Sequence, residues 1–108
     1  MLQGFMVGRL GKDAEVKYTK EGDPVCSFSI ACESGFGDRA KTFWVDCSLW
    51  GERGKKLAEY LLKGNQIAVQ GELGVRAWNS DRDHEAHANL QLTVRELSLL
   101  SNGKKAAA

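Results

Sequence analysis

The run Phe43-Trp44-Val45-Asp46-Cys47-Ser48-Leu49-Trp50-Gly51 reads as a strand with two unlike faces. Successive side chains of a strand point to opposite sides of the sheet. Phe43, Val45, Cys47 and Leu49 therefore share one apolar face, which predicts a core. Trp44, Asp46, Ser48 and Trp50 share the other. Two indoles beside an aspartate and a serine on one polar face imply a partner, because a large apolar ring gains little from water. Single-stranded nucleic acid offers the flat, stackable groups that such a face suits.

Downstream, Glu52 to Lys63 carries the one helical pattern. Leu57, Tyr60 and Leu61, with Leu62 beside them, form its apolar stripe. Glu52–Lys56 and Glu59–Lys63 stand at i,i+4 in the favourable order, and Gly64 follows as a stop. Gln66 to Trp78 reads as a long strand, with Ile67, Val69, Leu73, Val75 and Ala77 inward and Gln66, Gln70, Glu72, Arg76 and Trp78 outward. A third tryptophan thus falls on a polar face, two residues from an arginine. Gly71 and Gly74 suit a strand that bends round a barrel. Asn79 to Asn89 is a charged hairpin connection. Leu90, Leu92 and Val94 form the inner face of a last strand, with Gln91, Thr93 and Arg95 outward; the phase shifts near Leu97 and Leu99, which implies a bulge.

Upstream, Glu33 to Thr42 reads as a loop with two glycines flanking Phe36 and the charges Asp38, Arg39 and Lys41 after them. In the strand Val25 to Cys32, Cys26, Phe28, Ile30 and Cys32 alternate with Ser27, Ser29 and Ala31. Glu21-Gly22-Asp23-Pro24 is a turn, and Val16 to Thr19 a short extended segment. Leu2 to Leu10 has apolar residues on both faces, so it fits against another subunit as well as against its own core. Gly8 and Gly11 suit a bulge or a sharp bend. Three strands, one helix and two strands, at this length, predict an all-β fold: a five-stranded Greek-key barrel of the OB type with one helix between strands 3 and 4.

A chain of 108 residues makes one domain, here residues 1–100 followed by a short, frayed tail at 101–108. With 43% hydrophobic residues it can bury a core. Fifteen basic against fourteen acidic residues give a net charge of +1, so attraction to a polyanion has to come from local placement. Cys26, Cys32 and Cys47 fall on inward positions without metal-like or disulfide-like spacing, and read as buried thiols of a reducing compartment. Neither a signal peptide nor a membrane-spanning run is visible, which predicts a cytoplasmic protein with no membrane partner.

Trp44, Trp50 and Trp78 are the candidate stacking platform, although an indole can equally cover a loop or fill a subunit interface. Arg76, Lys63, Arg39 and Lys41 are candidates for phosphate contact, against the plain alternative of solvated charge. Phe36 has two readings, closing on a base with its loop or packing onto the barrel. His84 and His87 lie in a charged loop away from the cysteines, so no metal is expected, nor any cofactor. No nucleophile–base–orienter set is visible, which argues against an enzyme.

Several stretches together resemble bacterial single-stranded DNA-binding proteins: Val7-Gly8-Arg9-Leu10-Gly11-Lys12-Asp13 with Glu15, Lys17, Tyr18 and Thr19; Phe43-Trp44 leading into Leu49-Trp50-Gly51; Lys56 to Gly64; and Gln70-Gly71-Glu72-Leu73 followed by Arg76 and Trp78. The resemblance runs from about Leu2 to Leu100. It implies an OB fold, a homotetramer, and binding of single-stranded DNA without sequence preference in replication, recombination or repair. It implies stacking on Trp44 and Trp78, and on Trp50, where the family often has phenylalanine. Phe36 stands nearest a further family tryptophan, and Lys63 and Arg76 match basic positions used for phosphate. Ala14 departs from a usual proline, and Asp46, Glu52, Gly74 and Ala77 stand where relatives often carry Arg or Lys. The Gly-rich linker and acidic tip that recruit replication and repair proteins in that family are not among these residues, so recruitment by that route is not expected of this chain. A phage or mobile-element paralogue, or a truncated form of a longer chain, would fit. The rival reading is a primosome-type adaptor on the same barrel, often a dimer, acting mainly through protein contacts.

Overall fold

A computed structural model describes residues 2–34, 38, 41–79 and 86–100, with Ser34, Trp78, Asn79 and residues 86–88 described by backbone alone. Six strands and one short helix follow in the order β1 (Gln3–Leu10), β2 (Glu15–Tyr18), β3 (Pro24–Ser34), β4 (Lys41–Trp50), α1 (Glu52–Leu57), a 3₁₀ turn (Ala58–Tyr60), β5 (Gln66–Asn79) and β6 (Ala86–Leu99). β1 pairs antiparallel with β5, β5 with β6, and β4 with β3, while β6 runs parallel to β4. The pairs Arg9↔Ala31 and Leu10↔Ile30 then join β1 to β3 and close the sheet into a ring. β2 pairs with β3 and continues β1 past the bend at Gly11. β1 and β2 thus serve as one bent first strand, and the barrel has the five strands expected of an OB fold, with the helix between its third and fourth.

The alternation read from the sequence fills the ring. Cys26, Phe28 and Ile30 from β3, Val45, Cys47 and Leu49 from β4, Ile67 and Val69 from β5, and Leu92 and Val94 from β6 are buried together. Leu10 from β1 and Leu61 from the helix exit belong to the same cluster. Burial pushes the Cys26 thiol up to about 11 and that of Cys47 up to about 12, with Cys32 and Asp46 adding to the rise at Cys47. The third thiol, Cys32, is half-buried rather than buried, and its pKa is raised for the same reason.

Phe43, expected in the core, is 46% exposed. It lies opposite Cys32 near the start of β4, beyond Val45, where pairing to β6 begins. Val75, 63% exposed, and Ala77 also fail to face the core. They lie past Glu72, where β5 loses β1 and continues as a two-stranded arm with β6. That arm reaches Asn79 and resumes at Ala86, so residues expected to form a loop before Leu90 are strand. Pro24 opens β3 instead of ending the turn, a place where its missing N–H breaks no ladder bond. The turn itself forms, with Thr19 accepting from the Gly22 and Asp23 N–H groups.

The expected bulge is present. Gln70 faces Glu96 but Gly71 faces Val94, so Arg95 is the extra residue. Its carbonyl accepts from the Arg53 guanidinium on α1. The helix is shorter than its pattern. It ends at Leu57 and tightens into the 3₁₀ turn, which Leu61 leaves with φ −94° and ψ 73°. Leu61 and Lys63 are therefore off the helix, and Glu59 and Lys63 do not form a helical i,i+4 pair. The cause is a competing set of partners on the β1–β2 bend: Ala14 N–H donates to the Leu61 carbonyl at 2.8 Å, Lys63 N–H to Asp13 Oδ1 at 2.8 Å, and Gly64 N–H to the Leu10 carbonyl at 2.9 Å. Gly64 supplies the left-handed backbone, φ 87°, that this exit needs.

Candidate nucleic-acid interface

The outward face of β4 carries Trp44, Asp46, Ser48 and Trp50 along seven residues, or about 20 Å of strand. Trp44 and Trp50 are 52% and 51% exposed. The inward residues of β4 are already committed to the barrel, and among the described residues no helix or strand packs over the outward face of the β3–β4 pair. The Trp44 ring rests on the β1–β2 bend: a Cβ added at Gly11 would lie 2.6 Å from its Cζ3 and 2.8 Å from its Cη2. Gly11 is thus the floor of that indole, and a larger residue there would lift it.

Between the two rings the face is polar. Antiparallel register places Ser27 opposite Ser48 and Ser29 opposite Asp46. Ser29 Oγ donates to Asp46 Oδ1 at 2.8 Å, and Asn89 Nδ2 of β6 makes a longer contact of 3.4 Å to Oδ2. Asn89 is also the register partner of Arg76 on β5. A polar row therefore crosses four strands, from Arg76 through Asn89 and Asp46 to Ser29. Beside it, Lys12, Lys17, Ser27, Ser29, Asp46 and Ser48 help to line a concave site of about 230 Å³. Lys17 sits 4.0 Å from Glu15, with both side chains well exposed, so this ion pair is a weak competitor for an anion.

The candidate residues are distributed unevenly over this surface. Trp44, Trp50 and Arg76 share the outward face, and Arg76 is the register partner of Asn89, whose amide meets Asp46. Trp78 occupies the next outward position of β5 and pairs through its backbone with His87; its side chain lies outside the described residues. Phe36 and Arg39 also lie outside the described residues. Lys41 is exposed at the start of β4, opposite Ser34 and away from the indoles. Lys63 is exposed on the helix exit, held beside Asp13 and so close to the bend beneath Trp44. Lys12, Lys17, Ser27, Ser29 and Asn89 were not singled out by the sequence. For the two serines the signal was legible, since their outward phase in β3 puts them opposite the outward positions of β4 once a hairpin is assumed. For Lys12 and Asn89 it was not, because their places depend on the bend and on a parallel pairing distant in sequence.

A profile described as the single-strand binding protein family matches residues 1–100. This chain belongs to that family. The single-strand binding match takes in all six strands and therefore the whole closed barrel. The single-stranded DNA-binding protein of Treponema pallidum is 35% identical over 101 residues, covering 90% of this chain and 56% of the relative. That of Chlamydia muridarum is 32% identical over 105 residues, covering 97% of this chain and 66% of the relative. The chain thus spans between about half and two-thirds of the length of these relatives. A solved structure described as Plasmodium falciparum SSB in complex with ssDNA superposes with a TM-score of 0.73 at 25% identity, covering 94% of this chain and 96% of that one. Among the described residues no group of His, Cys, Asp and Glu is arranged to hold a metal ion, and no helix is long and apolar enough to cross a membrane.

Proposed function

We propose that this chain is a non-catalytic single-stranded DNA-binding module formed by residues 1–100, covering unpaired strands during replication, recombination or repair. Bases stack on Trp44 and Trp50, with Trp78 extending the platform along β5, and phosphates run past Lys12, Lys17, Lys63 and Arg76. Lys41 would contribute from the start of β4, with Phe36 and Arg39 as further contacts. The observation that carries this reading is the pair of half-exposed indoles on one strand face, divided by a polar floor. Stacking accepts any base, so the platform itself is indifferent to sequence. Each base stacked on an indole contributes ~1–3 kcal/mol by alanine substitution.

Self-association into a dimer or tetramer is part of the proposal. Phe5, 68% exposed, and Val7 lie on the outer face of β1, as expected of a strand with no solvated side. That surface suits another copy of the chain better than water. The adaptor alternative is less well supported, because it assigns no role to bare indoles on a polar floor.

Titration of tryptophan emission with oligo-dT and with duplex DNA, at two salt concentrations, tests the reading. Single strands should quench emission and duplex should compete poorly. Affinity should fall with salt by roughly 0.7 log units per log unit for each phosphate engaged. Unchanged emission at low salt would remove the stacking platform. Sedimentation at several concentrations would report the oligomer.

A further inference from the structure

Asp46 is the unexpected group on this face. A carboxylate between two stacking rings repels phosphate, yet here it is held in place. Ser29 Oγ at 2.8 Å and Asn89 Nδ2 at 3.4 Å fix its two oxygens from β3 and β6. Both partners are uncharged, so neither places a positive charge against the carboxylate. An ionised carboxylate has about four acceptor sites, so acceptor capacity remains beyond those two bonds. Asp46 stands two residues from Trp44 and four from Trp50 on the same face, and it lines the concavity that Lys12 and Lys17 also border. A base lying on an indole directs its edge along the sheet, while the lysines offer its phosphate a place at the rim.

From this arrangement we propose that Asp46 reads the edge of the nucleobase beside Trp44, favouring bases with an exocyclic amino group, cytosine foremost. The cytosine N4 amino group donates to a carboxylate. Thymine and uracil put a carbonyl at that position, where it meets the carboxylate acceptor to acceptor. The face then combines stacking that is open to every base with a bias at one nucleotide. The proposal rests on the single-strand reading above and adds a ligand preference to it.

The test compares oligo-dC, oligo-dT and oligo-dU at pH 8 by tryptophan quenching, for the unaltered protein and for Asp46→Ala. One good hydrogen bond predicts roughly 3- to 10-fold tighter binding of dC than of dT or dU, and a ratio near one in Asp46→Ala. Equal affinities for all three strands in the unaltered protein overturn the proposal without needing a variant. So does Asp46→Ala tightening all three by the same factor, which would make the carboxylate a simple phosphate repellent. If none of the strands binds, the single-strand reading has failed first. Binding of all three without a bias ends only the edge-reading role.

Discussion

Gly11→Ala is the sharpest probe of how the indole is supported. The added methyl would stand 2.6 Å from Trp44 Cζ3, against about 3.5 Å for an ordinary carbon contact. The ring must therefore retreat by roughly 1 Å. It can do so cheaply, since the clash is with the outer rim of a half-exposed side chain rather than with backbone. The backbone at Gly11 is not left-handed, so alanine adds no strain there and restricts the unfolded chain, a gain of about 0.4–1 kcal/mol. The denaturation midpoint should barely move. A gap of 0.5–1 Å forfeits about a quarter to a half of a dispersion well. Applied to a stacking contribution of ~1–3 kcal/mol, this costs ~0.3–1.5 kcal/mol, or roughly 2- to 10-fold in Kd. Trp44→Ala sets the upper limit at roughly 5- to 150-fold. Fluorescence titration with oligo-dT, paired with urea unfolding, measures both quantities. If Gly11→Ala binds as tightly as the unaltered chain while Trp44→Ala is weak, the position of the ring does not matter and the floor argument is wrong.

Other expectations follow from the barrel. Gly71→Ala would drive a Cβ into the Thr93 carbonyl, which is backbone and cannot step aside; a loss of ~2 kcal/mol or more is expected in urea unfolding. Asn65 is buried, its side-chain amide donating to the Tyr60 carbonyl at 3.1 Å, while the Asn65 backbone carbonyl accepts from Leu10 N–H. Asn65→Ala should cost ~1–3 kcal/mol by leaving the Tyr60 carbonyl without that donor, read as a lowered midpoint. The Cys26 and Cys47 thiols, with ordinary values of 9.0, titrate at about 11 and about 12 when folded. The folded chain then holds more protons than the unfolded one between those limits, so stability present at neutral pH is lost as pH rises above 9, by at most ~1.4 kcal/mol per pH unit for each thiol. Chemical denaturation at pH 8 and pH 10.5 measures this loss, and Cys47→Ala should flatten the slope.

Much of the barrel was legible because most strands alternate cleanly between core and solvent. Val45, Cys47 and Leu49 went inside as their spacing requires, and Trp44 and Trp50 stayed outside. Periodicity failed where it carries no information about how far a neighbouring strand extends. Phe43 and Val75 have inward phase, but each lies on a hairpin arm beyond the closed ring, so being on the inner side does not bury them. The helix was over-extended for a different reason. Its pattern to Lys63 is sound, but the Asp13 carboxylate and the carbonyl of Leu10, some fifty residues earlier in the chain, capture the N–H groups of its last turn. The outward phase of Asp46 was equally plain. What the sequence withheld was its setting, since Asn89 arrives through a parallel pairing that local pattern cannot foresee.

The helix exit has a mechanical consequence. Residues 61–65 are tied to the segment 9–14 through Arg9 Nη1 to the Gly64 carbonyl, Leu10 N–H to the Asn65 carbonyl, and the three bonds that shortened the helix. Trp44 leans on that tied segment, so its orientation is inherited from a strap whose other side is anchored by the fully buried Leu61. Loosening the strap would tilt the ring while the sheet stayed whole. A ligand gripping the ring should, by the same linkage, slow amide exchange at Ala14, Lys63 and Gly64.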